Sequence, residues 1–139
     1  MSKVYVTGMG IISPLGYSVA ENRAALAAGK CGLSHLDLFH TKYAELMPFG
    51  EIKISNEELK QQLGVSAKGV TRTTLLALHA INQAIKDSGL SQEDLSSFDT
   101  ALIGATTVGG MCHTDELFAD ANVSEIGSEY LSSYELGTV

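Results

Sequence analysis

Apolar residues first crowd together at Val4–Met9, on consecutive rather than alternating positions and with β-branched valines among them. That pattern predicts a strand covered on both faces, as in the middle of a parallel sheet. Gly8, Gly10, Pro14 and Gly16 then punctuate a long turn. Ser18-Val-Ala-Glu21 has the spacing of a capping box and predicts a helix over roughly Val19 to Ala28, stopped by Gly29. Periodicity is lost over residues 30–54, which predicts loops with one short strand near Glu51–Ile54. Ser55-Asn-Glu-Glu58 is a second box and opens a short polar helix ending near Gly64. Ala77, Leu78, Ile81, Ala84 and Ile85 recur at helical spacing, so a longer helix is predicted from about Thr71 to Ser88, with Gly89 at its end. Thr100–Thr107 reads as a second strand without a polar face, and it breaks into Gly109-Gly110. From Met111 onward the chain is acidic and weakly periodic, with a helix expected from about Asp115. Strands alternating with helices predict an α/β fold.

The 139 residues suit one domain with a modest core. A net charge of −7 argues against non-specific nucleic-acid binding, which needs a basic surface to displace phosphate counterions. No apolar run approaches the roughly 20 residues that span a bilayer, and the opening MSKVYVTGMG is not a secretory signal. With two distant cysteines, Cys31 and Cys112, a cytoplasmic chain with reduced thiols is expected. Cys112 sits beside His113 and near Asp115, but adjacent residues point apart, so a packed thiol is the better reading than a nucleophile. Cys31 is read the same way. His35, His40, His79 and His113 show no ligand spacing, and no metal or cofactor is expected; His79 is expected to be a partly buried neighbour of the core.

The glycine turn poses the sharpest question. A dinucleotide loop needs G-x-G-x-x-G directly between strand and helix, so that the helix N-terminus meets the pyrophosphate. Here Gly8-Met9-Gly10-Ile11-Ile12-Ser13 fails at the sixth position, and the helix starts only after Ser18. Thr7-Gly8-Met9-Gly10 followed by Ser13-Pro14-Leu15-Gly16 instead resembles the opening of the β-ketoacyl-acyl carrier protein synthases. Asn22–Leu33, Ala77–Leu90 and Ile103–Gly110 are similar, in order, to that family's first helix and turn, its long helix, and a strand with its glycine turn.

The resemblance implies the first part of a thiolase-like αβαβα fold, with residues 1–139 forming an incomplete portion of its first half. It implies a parent enzyme that joins acyl chains to malonyl-acyl carrier protein in fatty-acid or related polyketide synthesis. Such enzymes use a cysteine thiolate at a helix N-terminus, two histidines and a backbone oxyanion hole. No T-A-C-[ST]-type elbow occurs in this sequence, so no catalytic residue is assigned and the 139 residues alone are expected to be inactive. A non-catalytic chain-length-factor-like partner subunit is the alternative. By resemblance, Val108 takes the place of an aliphatic residue at the acyl-chain tunnel; an ordinary core valine is the plainer reading. Lys68 and Arg72 fall where the family docks acidic carrier protein, or are simply solvated side chains. The complete enzymes are usually homodimers. A sheet cut after a few strands exposes apolar edges, so this polypeptide alone is expected to associate or aggregate.

Overall fold

The computed structural model describes residues 3–67, 69–107 and 109–110. Four helices run in chain order: α1 (Val19–Ala27), α2 (Asn56–Leu63), α3 (Arg72–Ser88) and α4 (Gln92–Leu95). Each begins where a side-chain oxygen takes up a backbone N–H that the helix cannot satisfy. Ser18 accepts from Glu21, Ser55 from Glu58, Thr71 from Thr74 and Ser91 from Asp94. The second box is complete, and the carboxylate of Glu58 is held below its ordinary range by the backbone N–H of Ser55. At α1 the box is altered: Glu21 accepts from the N–H of Tyr17, one residue farther back than the capping residue. α1 closes with Lys30 N–H on the Ala25 carbonyl (2.9 Å) and Gly29 N–H on Leu26 (3.0 Å), with Gly29 at φ +64. The predicted boundaries of the first three helices hold to within about a residue; α4 is an addition.

The predicted strands differ. No strand ladder forms among the described residues; the pairings present are the isolated bridges Ser13–Gly16 and Ser34–Phe49. Val4–Met9, Glu51–Ile54 and Thr100–Thr107 lie outside any regular element. Val4 is 95% exposed, Val6 82% and Ile103 91%. The reason is that a helix satisfies its backbone within itself, whereas a strand takes its hydrogen bonds from a neighbour. No strand pairs with these stretches among the described residues.

The core gathers where α2 packs against α3. Ile54, Leu59 and Leu75 are buried, and Ile12, Tyr17, Leu63, Val65, Val70 and Leu76 pack against them. Fully covering Leu59 and Leu75 contributes about 1.5–3 kcal/mol for each side chain. α3 also carries the N-terminal stretch. A Cβ on Gly8 would overlap the carbonyl oxygen of Ala84, and one on Gly10 that of Ala80. The small side chains of Ala80 and Ala84 and the absent ones of the two glycines let backbone lie directly on the helix.

Three polar side chains on α3 fasten the same stretch. Asp87 accepts from Met9 N–H (3.0 Å), and Gln83 donates to the carbonyls of Ile11 (3.2 Å) and Tyr17 (2.8 Å). His79 Nε2 lies 2.9 Å from the Tyr17 carbonyl, which can only accept, so Nε2 carries the proton. His79 is half-buried, as expected.

A Cβ at position 10 has no space, whereas nothing lies within 4 Å of one at Gly104. Gly10→Ala is therefore expected to destabilise the protein by about 1–3 kcal/mol in urea denaturation, while Gly104→Ala stays within about 0.5 kcal/mol of the parent. Equal midpoints for the two variants would show that residues 8–10 do not lie against α3.

Candidate functional site

The opening turn is a rigid unit built around a buried asparagine. Ser13 and Gly16 exchange two backbone hydrogen bonds (2.9 and 3.1 Å) across Pro14-Leu15. Asn22, 5% exposed, donates to the carbonyls of Gly16 and Ser18 (both 2.8 Å) and accepts from the Ser13 hydroxyl. The Ser13 oxygen in turn accepts from Leu15 N–H (3.1 Å). Gly8 and Gly10 thus rest on α3, and the backbone groups of Ser13 and Gly16 are taken up by each other and by Asn22 of α1. Between this stretch, α1 and α3 lies an apolar cleft of about 720 Å³, lined by Gly8, Met9, Ile11, Leu26 and Ala84 among others.

A second constellation forms at the start of α3. Arg72 is half-buried, and its guanidinium donates to the carbonyls of Ile52 (2.7 Å) and Ile54 (2.9 Å) and to Asn56 Oδ1 (2.9 Å). It ties the entry of α2 to the entry of α3. The next residue, Thr73, donates its hydroxyl to the carbonyl of Gly109 (2.8 Å). Gly109 N–H donates to Thr106 Oγ1 (3.1 Å), and Gly109 has φ +52, a conformation open to glycine at little cost. The start of α3 therefore gathers residues 52–56 and 106–110 at one end of the helix.

Upstream of Arg72's partners, Glu51 organises the loop enclosed by the Ser34–Phe49 bridge. Its side chain is 8% exposed. It accepts from the backbone N–H groups of Asp37 (2.8 Å), Leu38 (3.0 Å) and Phe39 (3.1 Å) and from Lys53 Nζ (2.7 Å). Burial by itself pushes the carboxyl up, but Lys53 and the three backbone donors outweigh it and hold the pKa down at about 2. Lys53 also pairs with Asp37 (2.7 Å) and donates to the His35 carbonyl. Burial pushes the Lys53 ammonium down, and Asp37 and Glu51 more than reverse that.

Of the residues singled out in the sequence, Arg72 lies in the constellation at α3, while Lys68 and Val108 lie outside the described residues. Cys31 is an exposed free thiol in the turn after α1. Cys112, His113 and Asp115 fall outside the described residues. His35 and His40 are exposed, with His35 Nδ1 3.3 Å from the Ala44 carbonyl. Among the described residues no cluster of three or more His, Cys, Asp or Glu could hold a metal ion, and no helix is long and apolar enough to cross a membrane. Sequence reasoning missed Glu51, Asn22 and Thr73. Apart from Lys53 two residues on, the partners of Glu51 are backbone groups 12–14 residues away, and that of Thr73 lies 36 residues away, which leaves little local signature.

The family whose pattern matches residues 1–134 is described as "Beta-ketoacyl synthase, N-terminal domain". The chain is 27% identical over 112 residues to 3-oxoacyl-[acyl-carrier-protein] synthase 2 of Coxiella burnetii, covering 78% of this chain and 26% of that protein. It is 30% identical over 135 residues to 3-oxoacyl-[acyl-carrier-protein] synthase 1 of Haemophilus influenzae, covering 96% and 32%. It is also 30% identical over 107 residues to the tetracenomycin polyketide synthase ketoacyl synthase beta subunit of Streptomyces glaucescens, covering 77% and 26%. The chain thus spans about a quarter to a third of the length of these relatives. No solved structure matches it.

The depressed pKa of Glu51 has a defined signature. Its folded value lies below the ordinary value of 4.5, so its contribution is complete above about pH 4.5 and is lost as pH falls toward about 2. Glu51→Gln is expected to flatten the stability profile across that window and to speed amide exchange at Asp37–Phe39. An acid limb identical to the parent's would place the carboxylate outside this loop.

Proposed function

This chain belongs to the beta-ketoacyl synthase family through its N-terminal domain, and from that premise we propose that it serves as the N-terminal part of a 3-oxoacyl-acyl carrier protein synthase. The observation that carries the reading is the family match over residues 1–134. The packing of Gly8 and Gly10 on α3, and of the closed Ser13–Gly16 turn on Asn22 of α1, supports it.

In the proposed reaction an enzyme thiolate attacks the acyl thioester, and the carrier thiol leaves. Malonyl-carrier protein then loses CO2, and the resulting enolate carbon attacks the acyl-enzyme carbonyl. A carbon–carbon bond forms, the carbon–sulfur bond to the enzyme breaks, and the products are a 3-oxoacyl-carrier protein, CO2 and the freed thiolate. Residues 1–139 would supply scaffold, the carrier-docking positions Lys68 and Arg72, and the acyl-pocket position Val108. Arg72 would act chiefly as a brace, since its guanidinium already holds two carbonyls and an amide oxygen. The condensation would need no metal or redox cofactor, and the complete protein would work as a dimer in the cytoplasm.

A second reading, a non-catalytic chain-length-factor-like subunit that works beside a catalytic one, is favoured by the similarity to the tetracenomycin beta subunit. The residue at the nucleophile elbow of the native protein separates the two: cysteine in the first, another residue in the second.

The test is condensation of acyl- and malonyl-carrier protein by the protein at its native length, followed by release of labelled CO2. Turnover is expected there and none from residues 1–139 alone; no turnover from a native protein with an elbow cysteine would sink the proposal. Lys68→Glu in the same protein is expected to raise KM for carrier protein about tenfold with kcat kept, as loss of a charge pairing would. An unaltered KM would remove Lys68 from the docking surface.

A further inference from the structure

Residues 34–49 form a loop whose ends meet: Ser34 and Phe49 exchange two backbone hydrogen bonds (2.9 and 2.8 Å). Within it, the amides of Asp37, Leu38 and Phe39 converge on the Glu51 carboxylate just beyond the bridge. Successive amides aimed at one point make a concave anion site. Leu38 (3.0 Å) and Phe39 (3.1 Å) donate to Oε1, while Asp37 (2.8 Å) and Lys53 Nζ (2.7 Å) donate to Oε2. Each oxygen thus takes two donors, a pattern that matches a planar carboxylate with a cation on one side.

Contacts that do not involve Glu51 hold this cradle. The Ser34–Phe49 bridge closes its base. Lys53 pairs with Asp37 (2.7 Å) and donates to the His35 carbonyl. The far side of the loop is tied within itself: Ala44 N–H donates to the Thr41 carbonyl (3.2 Å), and Leu46 and Met47 N–H donate to that of Tyr43 (3.0 and 3.2 Å). We propose that residues 37–39 and Lys53 form a preformed oxyanion-binding site for carboxylates, and that filling it latches the 34–49 loop. Glu51 is the ligand that the chain itself supplies. The latch sets the shape of an apolar surface, since Phe39 is 58% exposed and Leu46 74%.

The experiment follows amide exchange over residues 34–49 in the native-length protein, with sodium formate titrated against sodium chloride at constant ionic strength. Glu51→Ala removes Cγ and the carboxyl group, and formate fits the space they leave. Glu51→Ala is expected to speed exchange at residues 37–39 by about tenfold or more, as loss of charge-assisted hydrogen bonds would. Formate is expected to slow it again, and chloride is not. Glu51→Gln fills the site with a neutral amide, so its exchange is expected to exceed the parent's and to ignore formate. Lys53→Met added to Glu51→Ala removes the cation and is expected to abolish the formate effect. The parent, its site already filled, is expected not to respond. Unchanged exchange in Glu51→Ala overturns the latch. Faster exchange that formate does not slow, or that chloride slows equally, overturns the preformed site. If Glu51→Ala folds only when formate is present, the proposal holds. If it folds with neither salt, the loop is built around Glu51 rather than offering a site to it, and the proposal fails.

Discussion

Ala80 and Ala84 leave one side of α3 low enough for the backbone at Gly8 and Gly10 to rest on its carbonyls. That approach constrains what surrounds it. A larger side chain at any of these positions would push the N-terminal stretch away and break the reach of Asp87 to Met9 and of Gln83 to Ile11. The same register delivers Tyr17 to the core beside Leu75, and its carbonyl to His79 and Gln83. Hydrophobic burial supplies the attraction, but it is non-directional. The bare backbone contact and the three polar side chains decide where along the helix the stretch lies.

The other end of α3 works by charge and hydrogen bonds. Arg72 holds the carbonyls before α2, and Thr73 holds the turn at Gly109. Glu51 holds the loop upstream of those carbonyls, using successive backbone amides as an anion site for a side chain of the same protein. These polar ties add direction to the apolar contacts of Ile52 and Ile54 with the core at the start of α3.

What the sequence disclosed was what depends on neighbours in sequence. Ser18, Ser55 and Thr71 announce helix starts, and Gly29, Gly64 and Gly89 announce their ends, because a cap is made within a few residues. α4 carried the same kind of signal in Ser91-Gln-Glu-Asp94, with aspartate where glutamate is more usual. The motif around Gly8 and Ser13 indicated the family before any contact was known. Its physical purpose, backbone packing on α3, came only from the fold. Glu51 looked like one acidic residue among many, because a nearby lysine is common and its three amide partners are remote in sequence. The strands were misjudged for a related reason: apolar, β-branched residues state what a stretch prefers, not whether a partner lies beside it.

Val4 to Val6 and Leu102 to Ile103 are bare and outside any regular element among the described residues. A protease grips its substrate as an extended strand, and chaperones that retain unfolded chains bind apolar segments. Each bare stretch therefore offers such a grip as long as it stays uncovered. Exposure of this kind ties the lifetime of a polypeptide in the cell to how long such stretches stay bare.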